Sequence, residues 1–421
     1  MPGRDSNPHD RRRWFSFFGA GALVAVGYMD PGNWATALSG GAKYGYQLLS
    51  VVLAASLMGL LLQWMASKVG VVTGRDLAQL CRARYSRRST IFLWITCEIA
   101  IIACDVAEVV GSAVALQLLL GVSLTVGVLM SAIGTLTMLG LQSHGQRPLQ
   151  FVITALIFFV GVCFVFELAL ANPSWHSAFA GLAPPSGLVR DSGMVWLVAG
   201  ILGATVMPHN LYLHSALVKE HAIDGDEQSI ANAMRGVNID TFASLGFAFV
   251  VNASLMIVAA AVFHASGHYE VSDLADAYRL IAPLVGSRWA GILFAAALLA
   301  CGLNATVAGT LAGQAVMEGF LQLKIARWSR ALLTRTLAMG PALLAVGAFG
   351  EHGSNQLLIA SQVVLSLQLP LAVVPLVRIA SDAGLMGSFR VKRIPLALAW
   401  LCAGMIVALT AVLLWQPVTG V

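Results

Sequence analysis

The sequence predicts an all-α polytopic membrane protein with eleven transmembrane helices. Ten of these form a 5+5 inverted repeat in which helices one and six are broken. Three features carry that expectation. The 421 residues are 58% hydrophobic and only 11% charged, with a mean hydropathy of +0.80, whereas soluble domains are roughly 25% charged. Apolar runs of about 20 residues, the length that crosses a bilayer core, recur throughout the chain. Two of those runs are interrupted by the same Pro-x-Asn pattern, at Asp30-Pro31-Gly32-Asn33 and at Met207-Pro208-His209-Asn210.

Spans are expected at about 15–39, 46–69, 90–119, 122–142, 149–170, 193–218, 237–264, 286–318, 331–350, 355–378 and 394–416. Residues 1–13 read as a cytoplasmic tail and 14–421 as a single transmembrane domain. Repeat one covers about 14–170, repeat two about 193–380, and helix eleven, about 394–416, is an accessory. Orientation follows from charge. With the N-terminus in the cytoplasm, all of the 25 Lys and Arg except Lys43, Arg190, Arg279 and Arg288 fall on cytoplasmic loops or span ends. An odd span count places the C-terminus outside. The net charge of +5 is therefore read as a topology signal rather than a nucleic-acid footprint. Arg11-Arg12-Arg13 precede the first span as in a signal peptide, but no small-x-small cleavage site follows, so the span is expected to be retained.

Span one holds the first break. Pro31 has no N–H to give the carbonyl of Gly27, which leaves a backbone oxygen free at membrane depth, where it must meet something polar. Asp30 stands beside it. An ionised Asp at a helix centre costs about 2.5–3.5 kcal/mol on insertion scales, so it must find a cation, a donor or a proton. A helix cap is the structural alternative for Asp30, and for Asn33, whose amide oxygen lies about one turn away.

Span three carries Glu98, Asp105 and Glu108. Their spacing of roughly two and three turns puts Glu98 and Asp105 on one face, with Glu108 a turn beyond. Such a stripe suits a proton relay or static ion pairs, for instance to Arg335 in span nine. Loop 171–192, with Pro173, Pro184 and Pro185, is external. Loop 219–236 is internal. Loop 265–287 is external, and its Glu270, Asp273 and Asp276 either concentrate cations or are simply solvated.

Span six holds the second break. Pro208 frees the carbonyl of Ala204, as Pro31 does that of Gly27. With five spans per repeat the copies enter from opposite sides, so Asp30 and Met207 become equivalent positions. Methionine is ordinarily core filler. Beside a broken helix its thioether favours manganese, iron or cadmium over calcium and magnesium, which prefer oxygen shells. His209 and His214 follow at a spacing that is not H-E-x-x-H, which removes the zinc-protease reading. Both could pass or sense protons, or simply pack. In span ten, Gln362 beside Ser361 could add an amide oxygen to a midplane ion or bond another helix, and Gln368-Leu369-Pro370 follows. Cys81, Cys97, Cys104, Cys163, Cys301 and Cys402 form no C-x-x-C pair and read as packing residues.

At these residues the chain resembles the Nramp family of divalent-metal transporters. The matching pieces are Asp30 to Asn33, the run Gly203-Ala204-Thr205-Val206-Met207-Pro208-His209-Asn210-Leu211-Tyr212-Leu213-His214-Ser215, and the stretch from Ser361-Gln362 to Gln368-Leu369-Pro370. The likeness spans all eleven helices in order and is nearest to bacterial proton-coupled manganese transporters. It implies a LeuT-like fold and alternating access. It implies metal binding by Asp30, Asn33, Met207 and the Ala204 carbonyl, joined by Gly27 and Gln362. It also implies proton movement through Asp30, His209, Glu98, Asp105 and Glu108. Met207 is the residue that the magnesium-transporting branch lacks. Arg330-Ala331 departs from the more basic start expected of span nine, and no twelfth span is expected.

The expected function is import of Mn²⁺ or Fe²⁺, with Cd²⁺ and Co²⁺ also accepted, accompanied by protons. The setting is the cytoplasmic (inner) cell membrane. Metal ions, protons and the lipid bilayer are the expected partners; no cofactor, nucleic acid or obligate protein partner is expected. The alternative is a sodium-coupled amino-acid or solute symporter of the same fold, which an Asp–Met pair serves poorly. An intramembrane metalloenzyme would need a nucleophile or general base at catalytic spacing, and none is found. A channel is the remaining class.

Overall fold

The computed structural model describes residues 19–143, 146–185, 191–221, 226–323, 326–349 and 353–419, and among these it is helical with no strand. The tail expected at 1–13 lies outside the described residues. In chain order the helices are α1 (Ala20–Gly27), α2 (Pro31–Tyr44), α3 (Leu49–Thr73), α4 (Leu77–Arg84), α5 (Arg87–Leu120), α6 (Leu124–Ser143), α7 (Gln146–Ala171) and α8 (Trp175–Ala180). Then follow α9 (Ser192–Thr205), α10 (Pro208–Val218), α11 (Glu227–Ala259, prolonged by a π turn over Ala260–His264), α12 (Leu274–Val285), α13 (Arg288–Leu321), α14 (Arg327–Phe349), α15 (Gly353–Ala380), α16 (Ala383–Met386) and α17 (Arg393–Thr419).

Eight helical segments among the described residues are long and apolar enough to cross a bilayer, and the joined pair α9–α10 is one of them. The three other expected spans are helical too. Span one is split into α1 and α2, and α6 and α14 carry shorter apolar stretches, Leu124–Met138 and Leu332–Leu344.

The two breaks share one local design. At the first, the N–H groups of Tyr28 and Met29 turn back to the carbonyls of Ala25 and Val26 at 3.0 and 3.1 Å, tightening the last turn of α1. Asp30 is extended (φ −67°, ψ 165°), and Pro31 opens α2. At the second, the Val206 N–H bonds Leu202 at 2.7 Å. Met207 is extended (φ −61°, ψ 120°), and Pro208 opens α10. Proline suits the first helical position because the N–H it lacks would have no partner there.

Burial sorts the helices into centre and rim. The span Ser192–Val218 is 89% buried, whereas Leu149–Ala171 and Arg393–Trp415 are 28% buried. The rim turns large apolar side chains outward, among them Phe151 at 76% exposure and Ile394 at 77%. Such faces need lipid rather than water, and the chain is a multi-pass membrane protein. At the centre, Trp34 packs its ring on Phe164 (5.1 Å between centroids) and on Phe294 (5.0 Å). That cluster seats α2 between α7 and α13, one turn beyond Asp30 and directly after Asn33.

Candidate metal centre

The residues singled out at the two breaks meet in the protein's interior. Asp30, Ala204, Met207 and Gln362 are each fully buried, and Asn33 is 4% exposed. Asp30 caps α2: its Oδ1 accepts the Asn33 backbone N–H at 2.8 Å and the Asn33 side-chain amide at 2.7 Å. That same amide nitrogen donates to the Ala204 carbonyl at 3.0 Å. The oxygen freed by the second break is thus met by a side chain from the first. Capping and ligation do not compete, because the other carboxylate oxygen, Oδ2, faces the Gln362 amide at 3.5 Å.

Two oxygens from different helices therefore converge on one donor nitrogen. A buried point that gathers two oxygens in this way is chemically suited to a cation. The sulfur comes from the opposite break. A Cβ on Gly27 would collide with the Asn210 amide and lie 3.3 Å from Sδ of Met207, so the end of α1 is pressed against the start of α10. Asn210 Nδ2 stands 3.5 Å from that sulfur. Among the described residues no group of three or more His, Cys, Asp or Glu could hold a metal. The donor set is instead mixed, with one carboxylate, amides, backbone carbonyls and a thioether. Such a set lets sulfur weigh against magnesium and calcium.

Of the span-three acids, Asp105 and Glu108 face α13. A Cβ on Gly309 would lie 3.2 Å from Asp105 Oδ1 and 3.2 Å from Glu108 Oε1, so both carboxylates face one point of that helix. Cys104 donates its thiol to Glu108 Oε1 at 3.7 Å and belongs to the same buried cluster as Met207. That places the Cys104 side chain between Glu108 and the cluster that holds Met207. Glu98 lies in the N-terminal half of α5. Arg330 Nη2 bonds both of its oxygens, at 2.8 and 2.6 Å, and Trp94 Nε1 donates to it at 3.0 Å.

At Glu98 the partner among the described residues is Arg330 rather than the expected Arg335. Helix α14 begins at Arg327, and its first-turn Arg330 is the residue level with that acid. The Arg335 side chain lies outside the described residues. The two histidines differ. His214 has both ring nitrogens engaged, with Gln63 Oε1 at 3.0 Å and Thr241 Oγ1 at 3.4 Å. His209 is buried, and its Nδ1 has no hydrogen-bond partner among the described residues.

Several polar residues at or near the site were not singled out from the sequence. Asn252 on α11 donates to the Tyr28 carbonyl at 2.6 Å and faces Asn33 Oδ1 at 3.4 Å. Its signal was a lone amide in an apolar span. Asn210 sat inside the second motif in plain view. Glu167 on α7 is buried with neither carboxylate oxygen partnered among the described residues.

Comparison with known proteins places this arrangement. The family model described as Nramp, "Natural resistance-associated macrophage protein-like", matches residues 21–416. The chain is 48% identical over 409 residues to the divalent metal cation transporter MntH of Bradyrhizobium diazoefficiens, covering 97% of this chain and 91% of that one. It is 50% identical over 404 residues to divalent metal cation transporter MntH 1 of Pseudomonas aeruginosa, covering 96% and 92%. Crystal structures of a manganese transporter from Eremococcus coleocola superpose with a TM-score of 0.87 at 37% identity, covering 97% of this chain and 87% of that one. A closed structure of Mhp1, a nucleobase-cation-symport-1 family transporter, shares the fold at a TM-score of 0.62 and 16% identity, covering 95% and 91%. The family match over nearly the whole chain, with relatives near half identical, shows that this chain belongs to the Nramp family.

Proposed function

We propose that this chain imports divalent transition-metal ions, Mn²⁺ and Fe²⁺ foremost, across the cytoplasmic membrane by alternating access, with protons moving alongside. One observation carries the reading: Asp30 and the Ala204 carbonyl converge on a single buried point at the helix breaks, with Met207 heading the partner break. The relatives that support it are transporters rather than enzymes.

The ion arrives hydrated and sheds most of its water. Asp30, Asn33, the freed carbonyls of Ala204 and Gly27, Met207 and Gln362 replace those ligands. The single carboxylate cancels one of the two metal charges, which reduces the cost of holding the ion at membrane depth. The sulfur selects by softness, because Mg²⁺ holds its water tightly and gains little from a thioether. A proton leaves by way of Asp30 or His209 and the acids Glu108, Asp105 and Glu98, with Arg330 beside the last. Arg335 and His214 complete that proposed route. The membrane potential assists entry, since 100 mV is worth ~2.3 kcal/mol per charge.

In this reading the N-terminus is cytoplasmic and the C-terminus outside. Repeat one (about 14–170) and repeat two (about 193–380) are related by inversion, with helix eleven outside the repeat and eleven crossings in all. A sodium-coupled solute symporter has only the shared fold of Mhp1 in its favour. Purified protein in liposomes tests the proposal. Mn²⁺ uptake should persist in excess Mg²⁺ and acidify the lumen, and uptake of amino acids in place of metal would overturn it.

A further inference from the structure

The cytoplasmic half of the first broken span, α1, is only eight residues long and has no cap of its own. Its N-cap is Gly19 at φ +124°, with no side-chain hydrogen bond to the helix. An uncapped N-terminus leaves backbone N–H groups without partners. Asp240, on α11 and 219 positions from Gly21 in sequence, supplies what is missing. Its Oδ2 accepts the Gly21 N–H at 2.7 Å and the Gly19 N–H at 3.2 Å, while Ser244 donates to its Oδ1 at 3.4 Å. Asp240 is 4% exposed. The approach is close enough to exclude a side chain, since a Cβ on Gly21 would lie 2.8 Å from the Asp240 carbonyl oxygen. The far end of α1 carries Gly27 and leads into Asp30.

We infer that Asp240 is a positioning residue for transport: it caps α1 from another helix, ties α1 to α11, and so sets where Gly27 and Asp30 stand. Elsewhere α1 packs through Leu23 and Val26 in a cluster with Leu149, Ile153 and Val307, and its last residue, Gly27, abuts Asn210 and Met207 at the start of α10.

The metal consequence rests on the transport reading above, but the positional one does not. The experiment is thiol labelling of Leu23→Cys by a membrane-impermeant maleimide from the cytoplasmic side. Leu23 is 8% exposed, and the native cysteines are all buried. Adding Asp240→Ala should speed labelling about fivefold, the equivalent of one lost helix cap. The same variant without the reporter cysteine should raise KM for Mn²⁺ more than it lowers maximal uptake. Asp240→Asn, which keeps an acceptor oxygen, should hold both near wild type. Gly21→Ala, with Asp240 intact, should label fast as well, and it decides the matter if Asp240→Ala fails to fold. Wild-type labelling in Asp240→Ala or Gly21→Ala would overturn the inference. So would equal defects in the Asn and Ala variants, because charge rather than the two N–H bonds would then be at work. Labelling needs no metal, so a chain that moved none would leave this test standing.

Discussion

Asn33 donates its side-chain amide to the carbonyl of Ala204 at 3.0 Å, joining the two helix breaks across 171 positions of sequence. The same nitrogen holds Asp30 Oδ1 at 2.7 Å. One donor nitrogen therefore links the two breaks, and the roles proposed for the residues around it can be separated by experiment.

Asp30→Ala removes the carboxylate that meets the Asn33 amide there. Mn²⁺ binding by calorimetry should fall below detection and liposome uptake should cease, while the protein stays monodisperse. Uptake at even a tenth of the wild-type rate would deny Asp30 a ligand's role.

Met207→Ala leaves the oxygens and takes the sulfur. Mn²⁺ should still bind, with Ca²⁺ and Mg²⁺ now competing at about tenfold lower concentration than in wild type, the equivalent of one modest ligand preference. Unchanged competition would remove the thioether from the selectivity account.

Glu108→Gln keeps the size of the side chain and removes its proton chemistry. Metal entry should continue with less acidification of the vesicle lumen per ion transported. Equal proton flux per metal in the two proteins would take Glu108 out of the relay.

Arg330→Leu strips the partner from Glu98 in a pair whose side chains are 4% and 16% exposed. Removing one member of a buried pair costs about 3 kcal/mol, and thermal unfolding in detergent should show the loss. Glu98→Leu together with Arg330→Leu should recover most of it, whereas additive losses would mean that the pair is not the source.

Gly203→Ala and Gly32→Ala both push a methyl group at Gln362, with different obstacles. At Gly203 the new atom meets the Gln362 backbone carbonyl, and at Gly32 the end of its flexible side chain. Gly203→Ala should therefore destabilise the fold. Gly32→Ala should fold normally and weaken Mn²⁺ binding by displacing the amide from Asp30. The reverse ranking, measured by thermal midpoint and by calorimetry, would contradict the packing described.

Much of this site could be read from the sequence because its chemistry is local. Proline at 31 and 208 ends a hydrogen-bond ladder whatever surrounds it, so the breaks, the freed carbonyls and the flanking Asp30 and Met207 followed directly. Helical spacing likewise placed Glu98 and Asp105 on one face of α5 with Glu108 a turn on, but not which helices they meet: Asp105 and Glu108 turn to α13, whereas Glu98 meets Arg330 of α14. What could not be read depends on how helices sit against each other. Whether Arg330 or Arg335 meets Glu98 is set by the register of α14 on α5. That Asn252 reaches the Tyr28 carbonyl, or Asp240 the N-terminus of α1, depends on the packing of α11. Those contacts are separated by more than 200 positions, and no periodicity within one helix encodes them.

The central claim is that a divalent metal sits between the unwound segments, within bonding distance of Asp30, Ala204 and Met207. Anomalous diffraction from crystals soaked in Mn²⁺ tests it most directly. The account predicts one strong peak at that point, lost in Asp30→Ala crystals. A map with no peak between the two breaks, or with manganese bound only at the surface, would contradict it.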